Sequence, residues 1–253
     1  MGVYEIVRGS GMVENEVYLG NAYELIKEVE TGSVDLIVTD PPYEIEGINS
    51  SGKLHGIFAK DGHKASHEEE IKDFVSGIDL SILDEFVRVM KKINIYIWCN
   101  KEQIYDYLTY FVQERKCNWE MLIWAKENPA PFLNGHYLKD KEYCLYFWEK
   151  GVKVNPKWAT GKTVYITKTN VTDKKKYNHP TIKPLEIIEN LVKNSCGGGL
   201  ILDPFCGSGT TLVAAKRNGF PYIGFEINPK FHKIAKDRLD GFDQRGRMNL
   251  FDI

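Results

Sequence analysis

The sequence predicts an α/β fold: a mostly parallel central sheet with helices on both faces. Three observations point there. Short apolar runs suited to buried strands alternate with stretches of helical spacing. Two unusual motifs, Asp40–Tyr43 and Asp203–Gly209, each follow directly on such a run, and open α/β sheets bind ligands beyond the C-terminal ends of their strands. The 253 residues, 43% hydrophobic and 27% charged, suit a soluble globular chain and include no apolar run long enough for a bilayer.

Val34-Asp35-Leu36-Ile37-Val38-Thr39 is an apolar run stopped by Asp40-Pro41-Pro42. Prolines donate nothing to a sheet ladder, so a buried strand ends here in a rigid loop. Residues 44–70, rich in Gly, Ser, Lys and His, show no sustained periodicity and are expected to be mobile. Helical spacing resumes from Ile71 to Met90, and Ile93–Trp98 reads as the next strand. Glu102–Glu114 reads as a helix, and Trp119–Trp124 and Glu142–Trp148 as strands. Residues 150–178 match no element. A helix with Pro184 near its start runs to Asn194 and breaks at Gly197-Gly198-Gly199. Leu200–Leu202 is a strand, Asp203–Gly209 a turn and Thr210–Arg217 a helix. Pro221–Phe225 is a strand ending at Glu226, and Pro229–Leu239 a last helix.

Charge is unevenly spread. Between Lys150 and Lys183 stand nine lysines and one acid, Asp173, a net +8, so the rest carries −10 of the overall −2. A basic face on an acidic body suits a polyanion held at one place, although a solvated lysine-rich loop is the plainer reading. The N-terminus lacks the basic and apolar segments of a signal peptide, and the five cysteines (Cys99, Cys117, Cys144, Cys196, Cys206) lack zinc-ligand spacing. The expectation is a cytoplasmic protein with reduced thiols, no structural metal and no membrane partner. His55, His63 and His67 lie in a loop without cysteine partners and do not change it.

In Asp203-Pro204-Phe205-Cys206-Gly207-Ser208-Gly209, the two glycines allow a sharp turn and a close backbone approach to a ligand. The helix that follows offers unpaired N–H groups. A tight strand-to-helix turn alone explains a glycine pair, but Glu226 at the next strand's end stands where such folds place an acid for ribose hydroxyls. The turn is neither GxGxxG nor a P-loop, so an adenosyl ligand without pyrophosphate fits better.

Asp40-Pro41-Pro42-Tyr43 reads most plainly as the end of a strand. Its chemistry is more specific. An exocyclic amine on a base is a poor nucleophile because its lone pair is delocalised into the ring. A carboxylate and a backbone carbonyl, each accepting one N–H, draw that nitrogen toward tetrahedral geometry. The prolines hold the carbonyl in place, and Tyr43 stacks on the extruded base.

Together these motifs resemble the DNA amino-methyltransferases (adenine-N6/cytosine-N4) of the permuted beta class, in which Asp-Pro-Pro-Tyr precedes Phe-x-Gly-x-Gly. The likeness runs from about Val17 to Leu239. It implies a Rossmann-like S-adenosylmethionine-dependent methyltransferase fold with a small target-recognition insertion. Residues 1–149 would form the catalytic half, with the mobile loop 44–70 closing over DNA. Residues 150–178 would form the insertion and 179–253 the cofactor-binding half. By the same resemblance Asp40, Pro41, Pro42 and Tyr43 are catalytic. Asp40, Thr181, Lys183, Asp203, Phe205, Cys206, Gly207, Gly209 and Glu226 line S-adenosylmethionine. Thr181 and Lys183 come from His179-Pro180-Thr181-Ile182-Lys183-Pro184, at the methionine end. The family's usual acid near the adenine is Asn21 here, which either contacts the cofactor or caps a helix.

The resemblance places DNA recognition in the lysine-rich 150–178 window, where lysines grip phosphate and Trp158, Tyr165, Asn155 and Asn170 are candidate base readers. Trp124 and Lys126 resemble the stretch lining the target-base pocket. A homodimer and a separately encoded restriction endonuclease are the implied protein partners. Asp in first place favours adenine N6 over cytosine N4. Without a Pro-Cys nucleophile, cytosine C5 is disfavoured. RNA and protein-glutamine methylases use related loops, and a catalytically idle DNA-binding protein of the same fold is the alternative from another class.

Overall fold

The computed structural model describes residues 12–43, 77–129, 137–169 and 182–241. In chain order the first elements are β1 (Glu16–Leu19), α1 (Ala22–Leu25, continued by a 3-10 turn Ile26–Glu28), β2 (Leu36–Thr39), α2 (Ile82–Val89) and β3 (Asn94–Cys99). Next come α3 (Ile104–Leu108, widening into a π-helical stretch Thr109–Glu114), β4 (Asn118–Lys126), β5 (Lys141–Trp148) and β6 (Val164–Thr167). The last are α4 (Leu185–Ser195), β7 (Ile201–Asp203), α5 (Thr210–Arg217), β8 (Tyr222–Glu226) and α6 (Pro229–Leu239). The expected loop 44–70, with its three histidines, lies outside the described residues, as do the start of the 71–90 helix, Asn170, Lys174–Lys176 and the His179-Pro180-Thr181 stretch.

The strands form one sheet in the order β1-β8-β7-β2-β3-β5-β4-β6. β5 runs antiparallel to β3 and β4, and the other pairings are parallel. Alternation along the central strands splits the core in two. Leu36, Val38, Tyr96, Trp98, Cys144 and Tyr146 face α4, α5 and α6, meeting Ile188, Leu191, Leu212 and Ala235. Ile37, Ile95, Ile97, Leu145 and Phe147 face α1, α2 and α3, meeting Ile26, Leu83, Phe86, Tyr107 and Phe111. Each buried Val, Leu, Ile or Phe among them contributes roughly 1.5–3 kcal/mol. Helices therefore cover both faces, as expected, and β2 and β3 are buried throughout because both sides of each are covered.

Two edge strands were not legible as strands. β1 and β6 have four residues each, with only one fully buried side chain in β1 and none in β6. So little apolar pattern leaves the period unreadable. β6 also places the lysine-rich window. It runs parallel to β4, from Val164 beside Ile123 to Thr167 beside Lys126. Residues 150–163 thus lie at the N-terminal end of the parallel strands. Thr160 there donates its hydroxyl to Asn194 Oδ1 at 2.6 Å, at the far end of α4, and the Asn155 N–H bonds the Asn194 carbonyl at 2.8 Å. Trp158 is 97% exposed at that end, remote from Asp40.

After β2 the chain builds outward through β3; after β7 it builds the other way through β8. β2 and β7 are neighbours, so their C-terminal ends flank the point where strand order reverses. Asp40 follows β2 directly, and Asp203 is the last residue of β7.

Candidate active site

Two groups of side chains meet at that reversal point, joined by one hydrogen bond: the Thr39 hydroxyl donates to Asp203 Oδ1 at 2.9 Å. Thr211 at the start of α5 adds a second tie, donating to the Val38 carbonyl at 3.3 Å.

The first group surrounds Asp40. Tyr43 donates its phenol to Asp40 Oδ1 at 2.7 Å, while Lys183 pairs with Asp40 Oδ2 and approaches the Tyr43 oxygen at 3.3 Å. Lys183 also bonds Glu142 Oε2 at 3.1 Å, and Glu142 Oε1 accepts from Lys126 at 2.6 Å. Two ammonium groups and two carboxylates thus form a balanced chain linking β2, β4, β5 and the approach to α4. Lys183 Nζ stands 5.2 Å from the Trp98 ring centroid and 5.5 Å from that of Tyr43. Gln103, buried in the loop before α3, donates to the Pro42 carbonyl at 3.4 Å and braces the Pro-Pro segment.

Burial sets the charge states here. It raises the Asp40 carboxyl above its ordinary range, more than Lys183 lowers it. Burial also opposes charge on Glu142, but Lys183 and Lys126 overcome this and hold it down to about 2. Lys183 stays above the ordinary lysine range because its two carboxylates outweigh its desolvation. Burial pushes the Cys99 thiol nearby up to about 12, leaving it neutral.

The second group is the turn after β7. Gly207 and Gly209 have φ of 52° and 78°, the left-handed region open to glycine, so the turn reverses within a few residues and Gly209 caps α5. The Cys206 N–H bonds the Phe225 carbonyl at 2.9 Å, tying the turn to β8, and the Cys206 side chain is buried. Phe205 is half-buried, edge-to-face with Tyr23 at 6.4 Å. Glu226 closes β8 and accepts from the Asn228 N–H at 2.7 Å. The Gly20 N–H bonds the Glu226 carbonyl at 2.9 Å, bringing Asn21 to the same edge. Asn21 Oδ1 accepts from the Tyr23 N–H at 2.9 Å, so its side chain caps α1.

Burial raises Asp203 to about 7, against the nearby Thr211 hydroxyl and the hydrogen bonds from the Thr39 hydroxyl and the Phe205 N–H, which favour its ionised form. A carboxyl whose folded pKa lies above its unfolded value costs stability progressively as pH rises from about 4 to the folded value. Asp203→Asn is therefore expected to raise Tm by several degrees at pH 8 and hardly at pH 4.5. Thermal melts at both pH values check this; an equal gain at both would exclude burial of charge as the cause.

Sequence reasoning found Asp40, Pro41, Pro42, Tyr43 and Lys183, which come together, and the Asp203–Gly209 turn beside them. Thr181 lies outside the described residues. Trp124 is a core residue, its indole N–H bonded to the Thr167 hydroxyl at 2.8 Å, while Lys126 reaches the site through Glu142. Of the described lysines in the basic window, Lys150, Lys153, Lys157 and Lys162 precede β6 and lie at the opposite end; Lys168 and Lys183 lie at the Asp40 end. Glu142, Gln103 and Arg238 were missed. Arg238 on α6 is buried beneath the turn, donating to the Ser208 carbonyl (2.6 Å), Ser208 Oγ (3.0 Å) and Thr210 Oγ1 (3.1 Å).

A profile of the DNA methylase family, the N6/N4 methyltransferases, matches residues 34–237. The chain belongs to that family. This methylase is 30% identical over 247 residues to the Type II methyltransferase M2.LlaDCHI of Lactococcus lactis subsp. cremoris, covering 90% of each chain. It is 25% identical over 254 residues to the DNA adenine methyltransferase YhdJ of Escherichia coli, covering 87% of this chain and 81% of that one. Its fold matches the M1.HpyAVI–SAM complex with a TM-score of 0.63 at 24% identity, over 88% of this chain and 98% of the other. Among the described residues no helix is long and apolar enough to cross a membrane, and no cluster of three metal-ligating side chains occurs.

Proposed function

We propose that this methylase transfers a methyl group from S-adenosylmethionine to the N6 amino group of adenine in DNA, as a site-specific enzyme of the permuted beta class. The observation that carries the reading is the Asp40 carboxylate, held at the end of β2 by Lys183 and Tyr43 and joined through Thr39 to the cofactor-type turn.

The donor set fits the cofactor. Gly207 and Gly209 open the turn, Glu226 at the end of β8 offers a carboxylate to ribose hydroxyls, and Phe205 gives an apolar wall for the adenine. Asp203, Cys206 and Asn21, the last beside its cap on α1, are further cofactor contacts in this reading, and Lys183, with Thr181, would serve the methionine end. S-adenosylmethionine supplies an electrophilic methyl group on a positively charged sulfur. Asp40 accepts one N–H of the flipped adenine, a carbonyl of the Pro41-Pro42 segment accepts the other, and Tyr43 stacks on the ring. Bound there, the cofactor would give up its methyl carbon to the amine nitrogen, with the carbon–sulfur electron pair left on sulfur. The nitrogen then sheds one proton, for which Asp40 is the nearest base.

Adenine is favoured over cytosine by Asp40 heading the motif and by the likeness to a DNA adenine methyltransferase. Similarity to Type II methyltransferases supports a modification enzyme paired with a separately encoded endonuclease. The test is methylation of plasmid DNA with labelled cofactor, followed by nucleoside mass spectrometry. N6-methyladenine is expected. N4-methylcytosine would overturn the choice of base, and DNA binding without methylation would make the chain an idle binding protein.

A further inference from the structure

Asp40 is fully engaged in this structure. Its Oδ1 accepts from Tyr43 at 2.7 Å and its Oδ2 is paired with Lys183. An incoming amine needs one of those oxygens, so a resident donor has to leave. Tyr43, required against the base, has no second acceptor among the bonds described. Lys183 has one, because its Nζ is already 3.1 Å from Glu142 Oε2.

We infer that Glu142 is a positioning residue that receives Lys183 when the substrate amine displaces it from Asp40 and lets it return after turnover. The inference rests on reading Asp40 as the amine acceptor.

Three features make Glu142 suited to this. It is fixed at the start of β5, in register with Trp124 of β4, so it does not follow Lys183. Lys126 holds its other oxygen at 2.6 Å, keeping the carboxylate ionised and leaving Oε2 turned to Lys183. Lys183 is also bordered by the Trp98 and Tyr43 rings, which favour a cation over their faces. An ammonium only 7% exposed would be stranded without a partner once it left Asp40, a costly state in a dry site. With Glu142 present it exchanges two carboxylates for one and stays paired throughout.

The groups facing Asp40 are Lys183, Tyr43, Glu142, Asp203, the neutral Cys99 and Cys144 thiols and the Tyr107 phenol; those facing Glu142 are Lys126, Lys183, Asp40 and Tyr43. Glu142→Gln removes a negative charge that raises Asp40 and leaves Lys183 to Asp40 alone. The acidic limb of kcat is therefore expected to move to lower pH. In the same variant kcat falls roughly tenfold or more, while KM for DNA and the cofactor Kd change by about twofold at most. Glu142→Asp is expected to recover much of the turnover. Lys126→Gln, which removes a positive charge from the same chain, should move the limb the opposite way, and it supplies the reading if Glu142→Gln does not fold.

The experiment is a pH–rate series on these variants of the full chain beside Asp40→Ala, with cofactor binding and Tm measured on each. Unchanged kcat and limb in Glu142→Gln, or a loss that tracks Tm and is not recovered by Asp, overturns the role of Glu142. Lys126→Gln moving the limb in the same direction as Glu142→Gln overturns it as well. Full activity of Asp40→Ala overturns the reading of Asp40 itself, a separate result from an inactive Asp40→Ala with an unaffected Glu142→Gln.

Discussion

Replacing Asp40 with alanine is expected to lower methyl transfer at saturating DNA and cofactor by roughly 10³-fold or more, the scale for losing a group that acts on the reacting atom. Without Asp40 the amine has no carboxylate to accept its N–H, and its lone pair stays in the ring. Lys183 keeps Glu142 as a partner, so the site retains its framework. The bond from Thr39 to Asp203 does not involve Asp40, and the turn after β7 keeps its geometry. Cofactor Kd should therefore stay within roughly tenfold of the parent, a loss felt in kcat far more than in binding. Asp40→Asn sharpens the test: it still accepts from Tyr43 but carries no charge for Lys183 or the amine. It should lose most of the activity too, which would assign the effect to charge and not to shape. Equilibrium binding of labelled cofactor beside single-turnover transfer measures both quantities. Near-normal transfer in Asp40→Ala would sink the mechanism.

That prediction rests on features the sequence displayed openly, because they come from local chemistry. Pro41-Pro42 stops a strand whatever lies around it, and Gly207 and Gly209 mark a turn through their own backbone freedom. Buried strands and amphipathic helices announce themselves by period, so β2, β3, α5 and α6 were readable with close bounds. Glu142 was not readable as a site residue. It begins a strand, and its partners Lys126 and Lys183 lie 16 and 41 positions away, meeting it only through β4–β5 register and the approach to α4. Gln103 likewise needs the β3–α3 loop to fold back against Pro42. The basic window shows a different limit. Nine lysines in a row of sequence look like one patch, yet β6 passes through the window as a strand of the sheet. A strand carries its two flanks to opposite ends of the sheet, so composition gave the charge but not its placement. Asn21 shows one of its two readings, since its side chain caps α1; a cofactor contact from the same side chain belongs to the proposed function.

Arg238 is the least visible of these residues and the source of the second large expected effect. From sequence it is one basic residue in the last turn of a helix, where a cation is ordinary. In the fold its guanidinium is buried under the Ser208–Thr210 segment and donates to three oxygens there. Arg238→Met keeps most of the stem's volume and removes the donors. The Ser208 carbonyl and the two hydroxyls then lose partners in a buried setting, at about 1–3 kcal/mol for the stranded acceptors. For a chain of this size that corresponds to a fall in Tm of roughly 2–10 °C. Gly207 and Gly209 hold positive φ only while the turn around them is fixed, so a loosened turn samples other backbone conformations. Cofactor Kd should rise roughly tenfold, while kcat at saturating cofactor falls by no more than about threefold, because Asp40 and its partners are untouched. Calorimetric titration with cofactor and thermal melts give both numbers. A lowered Tm with unchanged cofactor affinity would reduce Arg238 to a packing role. A lost kcat at saturation would mean the turn also orients the methyl group toward Asp40, a coupling for which the Thr39–Asp203 bond is the shortest physical route.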